Sequence, residues 1–251
     1  MASFDEREFN LETPGGALYG KTFIPEGESP FPLYVVCHGF YGTCDGSAAY
    51  AEDLAARGVA SVIFDFRGGA PTSKSSGTMQ EMSVMTEADD LEAVLDWALS
   101  WDCVDPAHVW ASGRSQGGLV LTVVAARRPG VFEKIVPLYP AFNFVDDMQA
   151  RFACAEDVPE VFDLLPDAPV GAVYARDLLD YDWRAQAKAC QTPVLLLHGT
   201  ADQLVDPKYS DEAAKLFSNV RLVWLPGAPH KFQGEYLEQG IELIREFLLG
   251  E

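Results

Sequence analysis

A chain of 251 residues, 48% hydrophobic and 22% charged, is long enough to bury a large core without disulfide or metal staples and too apolar to be disordered. Its formal net charge of −20, from 38 acidic against 18 basic residues, argues against the broad basic surface that nucleic acid or an anionic membrane requires. The same field disfavours strongly anionic small molecules unless one local basic group offsets it.

Two strands come first, near residues 9–13 and 18–23, and are expected to pair as an antiparallel edge. Continuous apolar runs follow at 33–37, 60–64, 109–111, 135–138, 194–197 and 222–225, the pattern of strands covered on both faces. Helical periodicity fills the intervals at 47–57, 86–100, 116–128, 207–217 and 234–249. This alternation predicts an α/β fold, a mostly parallel central sheet with helices on both faces, in a single domain over 1–251. One segment, 141–189, breaks the rhythm: it is rich in Asp, Ala, Pro and aromatic residues and contains no clean strand. Too long for an ordinary connection, it is expected to be a cap inserted after the strand that ends at Leu138.

The five cysteines (Cys37, Cys44, Cys103, Cys154 and Cys190) are scattered, without a C-x-x-C spacing, as free thiols in a reducing compartment would be. The acidic N-terminal stretch has no apolar core of the kind a signal peptide needs, and no apolar run approaches a transmembrane length. A cytoplasmic address is the expectation. Without a helical H-E-x-x-H no metal is expected, and Gly68-Gly69 is too short for a dinucleotide fingerprint.

Gly113-Arg114-Ser115-Gln116-Gly117 fits the G-x-S-x-G nucleophile elbow, with an apolar strand before it and an apolar helix after it. The flanking glycines are needed because the strand-to-helix turn is so tight that side chains there would collide. The turn lifts the Ser115 hydroxyl above the sheet edge. In such an elbow one oxyanion donor is the N–H after the nucleophile, here Gln116. The second is expected from the loop His38-Gly39-Phe40, at the N–H of Phe40.

Chain order in this architecture runs serine, acid, histidine, and only four histidines are available. His38 and His108 precede the serine, and His198 ends a strand directly before the carboxylates, which leaves His230 as the general base. Asp202 and Asp206 compete for the acid. Asp206 already has a role as cap before Pro207 at a helix start, so Asp202 is assigned to orient His230.

With these residues in place the chain resembles the bacterial α/β-hydrolase esterases, and within them the cinnamoyl (feruloyl) esterase branch. The resemblance rests on His38-Gly39-Phe40, Phe64-Asp65-Phe66-Arg67-Gly68, residues 83–91, Gly113 to Gly118, His198 to Asp202 with Val205, and His230-Lys231-Phe232. Two places depart from it: Arg114 stands where His or Glu is usual, and Gly69-Ala70-Pro71 replaces the usual His-Gly-x-Ser. The resemblance implies an α/β-hydrolase fold with a small cap, a small-molecule ester substrate cleaved through an acyl-enzyme, and no cofactor. It also implies that a cap Asp and a cap Tyr hydrogen-bond the distal phenol of the acyl group, which carries over to Asp147 and Tyr174. Aromatic residues of the segment, with Phe40 and Tyr41, suit such a flat acyl chain, or else glue the cap to the body.

No nucleic acid and no membrane are expected as partners, and a homodimer stays open. The alternatives are a short-chain carboxylesterase or acylglycerol lipase, a peptidase or acyltransferase on the same fold, and a non-catalytic ligand-binding relative. A peptidase of this type is expected to carry an added propeller, for which 251 residues leave no room. A pure binder has no need of the serine, histidine and acid together.

Overall fold

Two strands, β1 (Phe4–Thr13) and β2 (Gly16–Pro25), begin the computed structural model, which describes residues 3–250, and they pair antiparallel along their whole length. The chain then alternates through β3 (Phe31–Cys37), α1 (Ala48–Ala55), β4 (Ala60–Phe64), α2 (Val84–Leu99), β5 (Val104–Arg114), α3 (Gln116–Arg127) and β6 (Lys134–Leu138). The segment expected to form a cap holds α4 (Asn143–Arg151), β7 (Val161–Leu165), β8 (Ala168–Gly171), α5 (Ala172–Leu179) and α6 (Trp183–Ala189). The main alternation resumes with β9 (Val194–Gly199), α7 (Lys208–Leu216), β10 (Val220–Leu225) and α8 (Glu235–Leu249).

Eight strands form one sheet in the order β1-β2-β4-β3-β5-β6-β9-β10. β2 joins β4 antiparallel, and every pair from β4 to β10 is parallel. The strands read as continuous apolar runs because both faces are covered. Along β3, Leu33, Val35 and Cys37 belong to the core beneath α2 and α3, while Tyr34 and Val36 belong to the core beneath α1 and α8. From β3 the chain steps to β4 on one side and then returns past β3 to β5 on the other. The carboxyl ends of β3 and β5 therefore flank a topological switch, the crevice where such sheets bind ligands.

Several elements differ from the sequence reading, and β1 and β5 start earlier than expected, at Phe4 rather than 9 and at Val104 rather than 109. α2 begins at Val84, two residues before the predicted start, because Ser83 and Thr86 form a capping box. The Ser83 hydroxyl accepts from the Met85 and Thr86 N–H groups at 3.2 Å, and Thr86 Oγ1 accepts from the Ser83 N–H at 2.8 Å. Within 141–189, β7 and β8 form a hairpin where no strand was expected. They pair only with each other and lie outside the central sheet, so they lack the unbroken apolar run of a core strand.

Much of the segment's aromatic content is glue. Phe142 stacks on Trp183 with ring centroids 4.4 Å apart, Phe152 meets Phe162 edge-on at 5.3 Å, and all four rings are buried. The Arg184 guanidinium forks onto both Asp146 oxygens at 2.8 Å and also onto Glu212, tying α6 to α4 and α7. Among the described residues, no helix is long and apolar enough to cross a membrane.

The switch leaves no room for a side chain where α3 starts. A Cβ on Gly117 would lie 2.3 Å from the His38 carbonyl oxygen, a backbone atom that cannot swing aside. Gly117→Ala is therefore expected to destabilise the protein by more than the about 1–3 kcal/mol usual for overpacking. The measurement is a urea midpoint at unchanged slope.

Candidate active site

Ser115 sits between β5 and α3 at φ 54° and ψ −119°, a conformation that side chains other than glycine rarely adopt. The turn closes on itself so tightly that a Cβ on Gly113 would lie 2.1 Å from the Gly117 carbonyl oxygen. The backbone at Ser115 is held from both sides: its N–H donates to the Leu138 carbonyl at 2.9 Å, and its carbonyl accepts from the Ala141 N–H at 3.0 Å. Such strain persists only where the surroundings over-determine it.

The Ser115 hydroxyl is 3.0 Å from His230 Nε2, and His230 Nδ1 is 2.7 Å from Asp202 Oδ2. With the Nδ1 proton given to the carboxylate, Nε2 is the free base that accepts from the serine. His230 follows β10 on a loop, and Asp202 follows β9, so three strand ends converge on one point. Asp202 Oδ1 accepts from the N–H groups of Leu204 and Val205, at 2.9 and 3.0 Å. Burial alone would raise this carboxyl, yet hydrogen bonds from His198, His230 and the Val205 N–H hold it well below the usual carboxylate range. Asp206, the competing acid, is exposed and accepts from the Lys208 N–H at 2.9 Å at the start of α7, as a capping residue does.

Two further histidines serve the site as scaffold. His198 lies fully buried behind the acid, with Nε2 3.0 Å from Asp202 Oδ2 and Nδ1 2.6 Å from the Ser210 hydroxyl. Chain order excluded it as the base but did not reveal this contact; the only signal was its position four residues before Asp202. His38 Nε2 accepts from the Phe66 N–H at 3.0 Å, and its Nδ1 proton goes to the Gly39 carbonyl at 2.8 Å. Burial pushes His38 down to about 4, so at neutral pH it is an uncharged pin under the Gly39–Phe40 turn.

That turn presses against Ser115: a Cβ on Gly39 would lie 3.0 Å from Ser115 Cβ. Its neighbours are anchored by Tyr41 N–H to the Gly69 carbonyl and Gly42 N–H to the Gly39 carbonyl, each at 3.0 Å. Among the described residues, neither the Phe40 nor the Gln116 N–H is taken by a backbone carbonyl, which leaves both free for an oxyanion.

The two residues carried over for phenol recognition stand elsewhere. Asp147 is exposed on α4 and accepts from the Asn143 side chain at 2.9 Å, because the inward face of α4 is taken by Phe144, Val145 and Met148. Tyr174 is fully buried, and its hydroxyl donates to Gln116 Oε1 at 2.6 Å. It braces the residue after the nucleophile rather than facing substrate. Buried Glu87 lies on the other side of that amide, its carboxyl pushed well above the usual range by burial.

Ser115 and His230 open into a cavity of about 680 Å³. The cap contributes Phe144 and residues 165–168, and the body contributes Phe40, Tyr41, Tyr139 and Phe232. Four non-glycine residues have positive φ among the described residues, Tyr41, Ser115, Tyr139 and Asp167, and all four line this cavity. Backbone strain concentrated in one place is a physical mark of a functional site.

The sequence profile of the prolyl oligopeptidase family matches residues 47–249. Est1E from Butyrivibrio proteoclasticus, solved with ferulic acid bound, superposes with a TM-score of 0.87 at 25% identity, over 96% of this chain and 98% of that one. Esterase EstD of Thermotoga maritima is 26% identical over 275 residues, covering 97% of this chain and 64% of its own length. An uncharacterized 31.7 kDa protein of Escherichia coli is 30% identical over 96 residues; the match covers 38% of this chain and 32% of that protein, about a third of its length. The fold is that of the α/β-hydrolases, and the likeness to the feruloyl esterase branch read from the motifs extends to the whole structure.

The contrast between the two carboxylates is measurable. Asp202→Asn is expected to lower kcat by about 10³- to 10⁴-fold, since an amide cannot hold the right imidazole tautomer. Asp206→Asn keeps a good cap and is expected to change stability by less than about 0.5 kcal/mol and to leave turnover near the parent value. Steady-state kinetics on both variants, with urea melts, check the ranking.

Proposed function

The chain belongs to the prolyl oligopeptidase family, and on that premise we propose that it is a serine hydrolase of carboxylic esters working through an acyl-enzyme on Ser115. The observation that carries this reading is the unbroken relay from the Ser115 hydroxyl through His230 to Asp202, at 3.0 and 2.7 Å. His230 takes the serine proton as the oxygen attacks the ester carbonyl, and the imidazolium formed is stabilised by Asp202. The developing oxyanion is met by the Phe40 and Gln116 N–H groups, each donor contributing about 100- to 1,000-fold in rate. His230 then protonates the leaving alkoxide, and water repeats the sequence on the acyl-enzyme.

Ester rather than peptide chemistry is supported by the names of two relatives, Est1E and EstD. An acyl half that is flat and aromatic, of the hydroxycinnamoyl type, is supported by the aromatic walls Phe40 and Phe144, with ring centroids 6.3 Å apart, and by the ferulic acid bound to Est1E. Since Asp147 and Tyr174 lie off the cavity, ring contacts rather than those two side chains carry this preference.

Three measurements test the reading. A fluorophosphonate probe labels the parent protein, and Ser115→Ala abolishes both labelling and turnover, with a loss of about 10⁴-fold or more. A panel of methyl ferulate, methyl p-coumarate, phenyl acetate and a peptidyl anilide gives fastest turnover with the hydroxycinnamates; anilide cleavage without ester turnover would make the protein a peptidase instead. A pH profile of turnover shows no step in the interval where ordinary carboxylates titrate, because Asp202 must be ionised to orient His230. Asp202, held well below the usual carboxylate range, stays ionised across that interval.

A further inference from the structure

Cations in this acidic protein are mostly neutralised or solvated. Among the described residues, only Arg114 and Lys134 are both shielded from solvent and without a carboxylate within ion-pair distance. Lys134 gives its protons to the Phe247 and Leu248 carbonyls at the end of α8, at 3.1 and 2.8 Å. Arg114 meets hydroxyls rather than carbonyls. Its Nη2 reaches the Ser47 hydroxyl at 3.1 Å, its Nε is buried with no hydrogen-bond partner, and it lines the cavity beside Ser115. A guanidinium has five donors, and leaving a buried one such as Nε without an acceptor is costly. The surroundings are shaped around it: a Cβ at Gly46 would lie 3.0 Å from Nη2, and the Tyr50 ring lies 5.9 Å from Cζ.

A second cation, exposed Lys231, lines the same cavity next to His230, also without a carboxylate within ion-pair distance. The Tyr139 phenol lies beside Arg114, while the Tyr139 ring packs edge-on against both His230 and Phe232 at 4.8 Å. Both cations thus belong to the histidine side of the cavity. In ester cleavage the leaving oxygen must receive its proton from His230 Nε2, so the alcohol half lies on that same side. The cap side, by contrast, carries the Phe40–Phe144 pair and the Asp167 carboxylate, which repels an anion there.

Resting on the esterase reading above, we propose that the site takes esters whose alcohol half carries a carboxylate, bound by Arg114 with Lys231 beside it. A carboxylate matches the planar fork of a guanidinium and supplies the acceptors that Arg114 lacks. It also accounts for an unpaired cation in a chain of net charge −20, whose overall field would otherwise turn such a substrate away.

Two substrate pairs test this. The first is meta-butyryloxybenzoate against its methyl ester, which places or removes the charge on the alcohol half. The second is phenyl hydrogen glutarate against phenyl pentanoate, which does the same on the acyl half. In the parent protein kcat/KM is expected to favour the charged member of the first pair by about tenfold or more, chiefly through KM, with no such preference in the second. Rising ionic strength narrows the first ratio. Arg114→Met collapses that ratio, and Arg114→Lys restores part of it. Because a ratio is read, a general loss of activity in a variant does not mimic the effect. If Arg114→Met fails to fold, the parent's ratio, its salt dependence and Lys231→Met carry the test.

A preference confined to the acyl pair, or none in either pair while the neutral esters are cleaved, overturns this proposal and leaves the esterase reading standing. An equal fall for charged and neutral members in Arg114→Met makes Arg114 merely structural and also overturns it. No cleavage of any ester and no fluorophosphonate labelling overturns both.

Discussion

The positive φ at Ser115 is the constraint on which the rest of the structure depends. A residue with a side chain holds φ 54° only if its neighbours leave it no alternative. Here the alternatives are closed by contacts at backbone distance: α3 is pressed against the end of β3 through Gly117, and Gly113 lies under the Gly117 carbonyl. Hydrogen bonds to the Leu138 carbonyl and from the Ala141 N–H clamp the serine backbone to the end of β6 and the chain just beyond it. The same compression places Gly39 against Ser115 Cβ, so the Gly39–Phe40 turn and Ser115 are set by one packing event.

Around that point, charge burial is handled in two ways. Asp202 is 7% exposed, yet its two oxygens meet four donors: two backbone N–H groups and two imidazoles. A carboxylate so supplied stays ionised despite its burial and fixes the geometry of the base. Glu87, also buried, is not so supplied, and burial instead favours its neutral form beneath Gln116. The two carboxyls are shifted in opposite directions, and the difference lies in the donors within reach.

The segment between β6 and β9 divides its aromatic residues between two tasks. Phe142 pairs with Trp183 and Phe152 with Phe162 inside the segment, while Phe144 reaches the cavity and meets Phe40. Tyr174 belongs to neither wall; its hydroxyl supports Gln116 from below. Polarity divides as well, with Asp167 at the hairpin turn and Arg114 and Lys231 beside the histidine. Rings therefore line the cavity on both sides, while its cations lie toward Tyr139 and His230 and the Asp167 carboxylate toward the hairpin.

Much of this was legible in the sequence because it depends on local or one-dimensional order. Parallel strands buried on both faces must be continuous apolar runs, and a turn as tight as that at Ser115 must be flanked by glycine, so the sheet and the elbow were readable. Chain order and the scarcity of histidine were enough to select Ser115, Asp202 and His230, which the structure brings within hydrogen-bond reach of one another. The direction a side chain takes in an irregular segment has no such signature. Asp147 and Tyr174 were carried onto a segment whose helix faces are decided by packing against α2, α3 and the loop after β3, far away in sequence, and one faces solvent while the other lies against Gln116. The hairpin β7–β8, the second imidazole on Asp202 and the Arg114 guanidinium without a carboxylate share that origin. Each is defined by what distant elements place beside it, and only the tertiary structure decides which neighbours a group has.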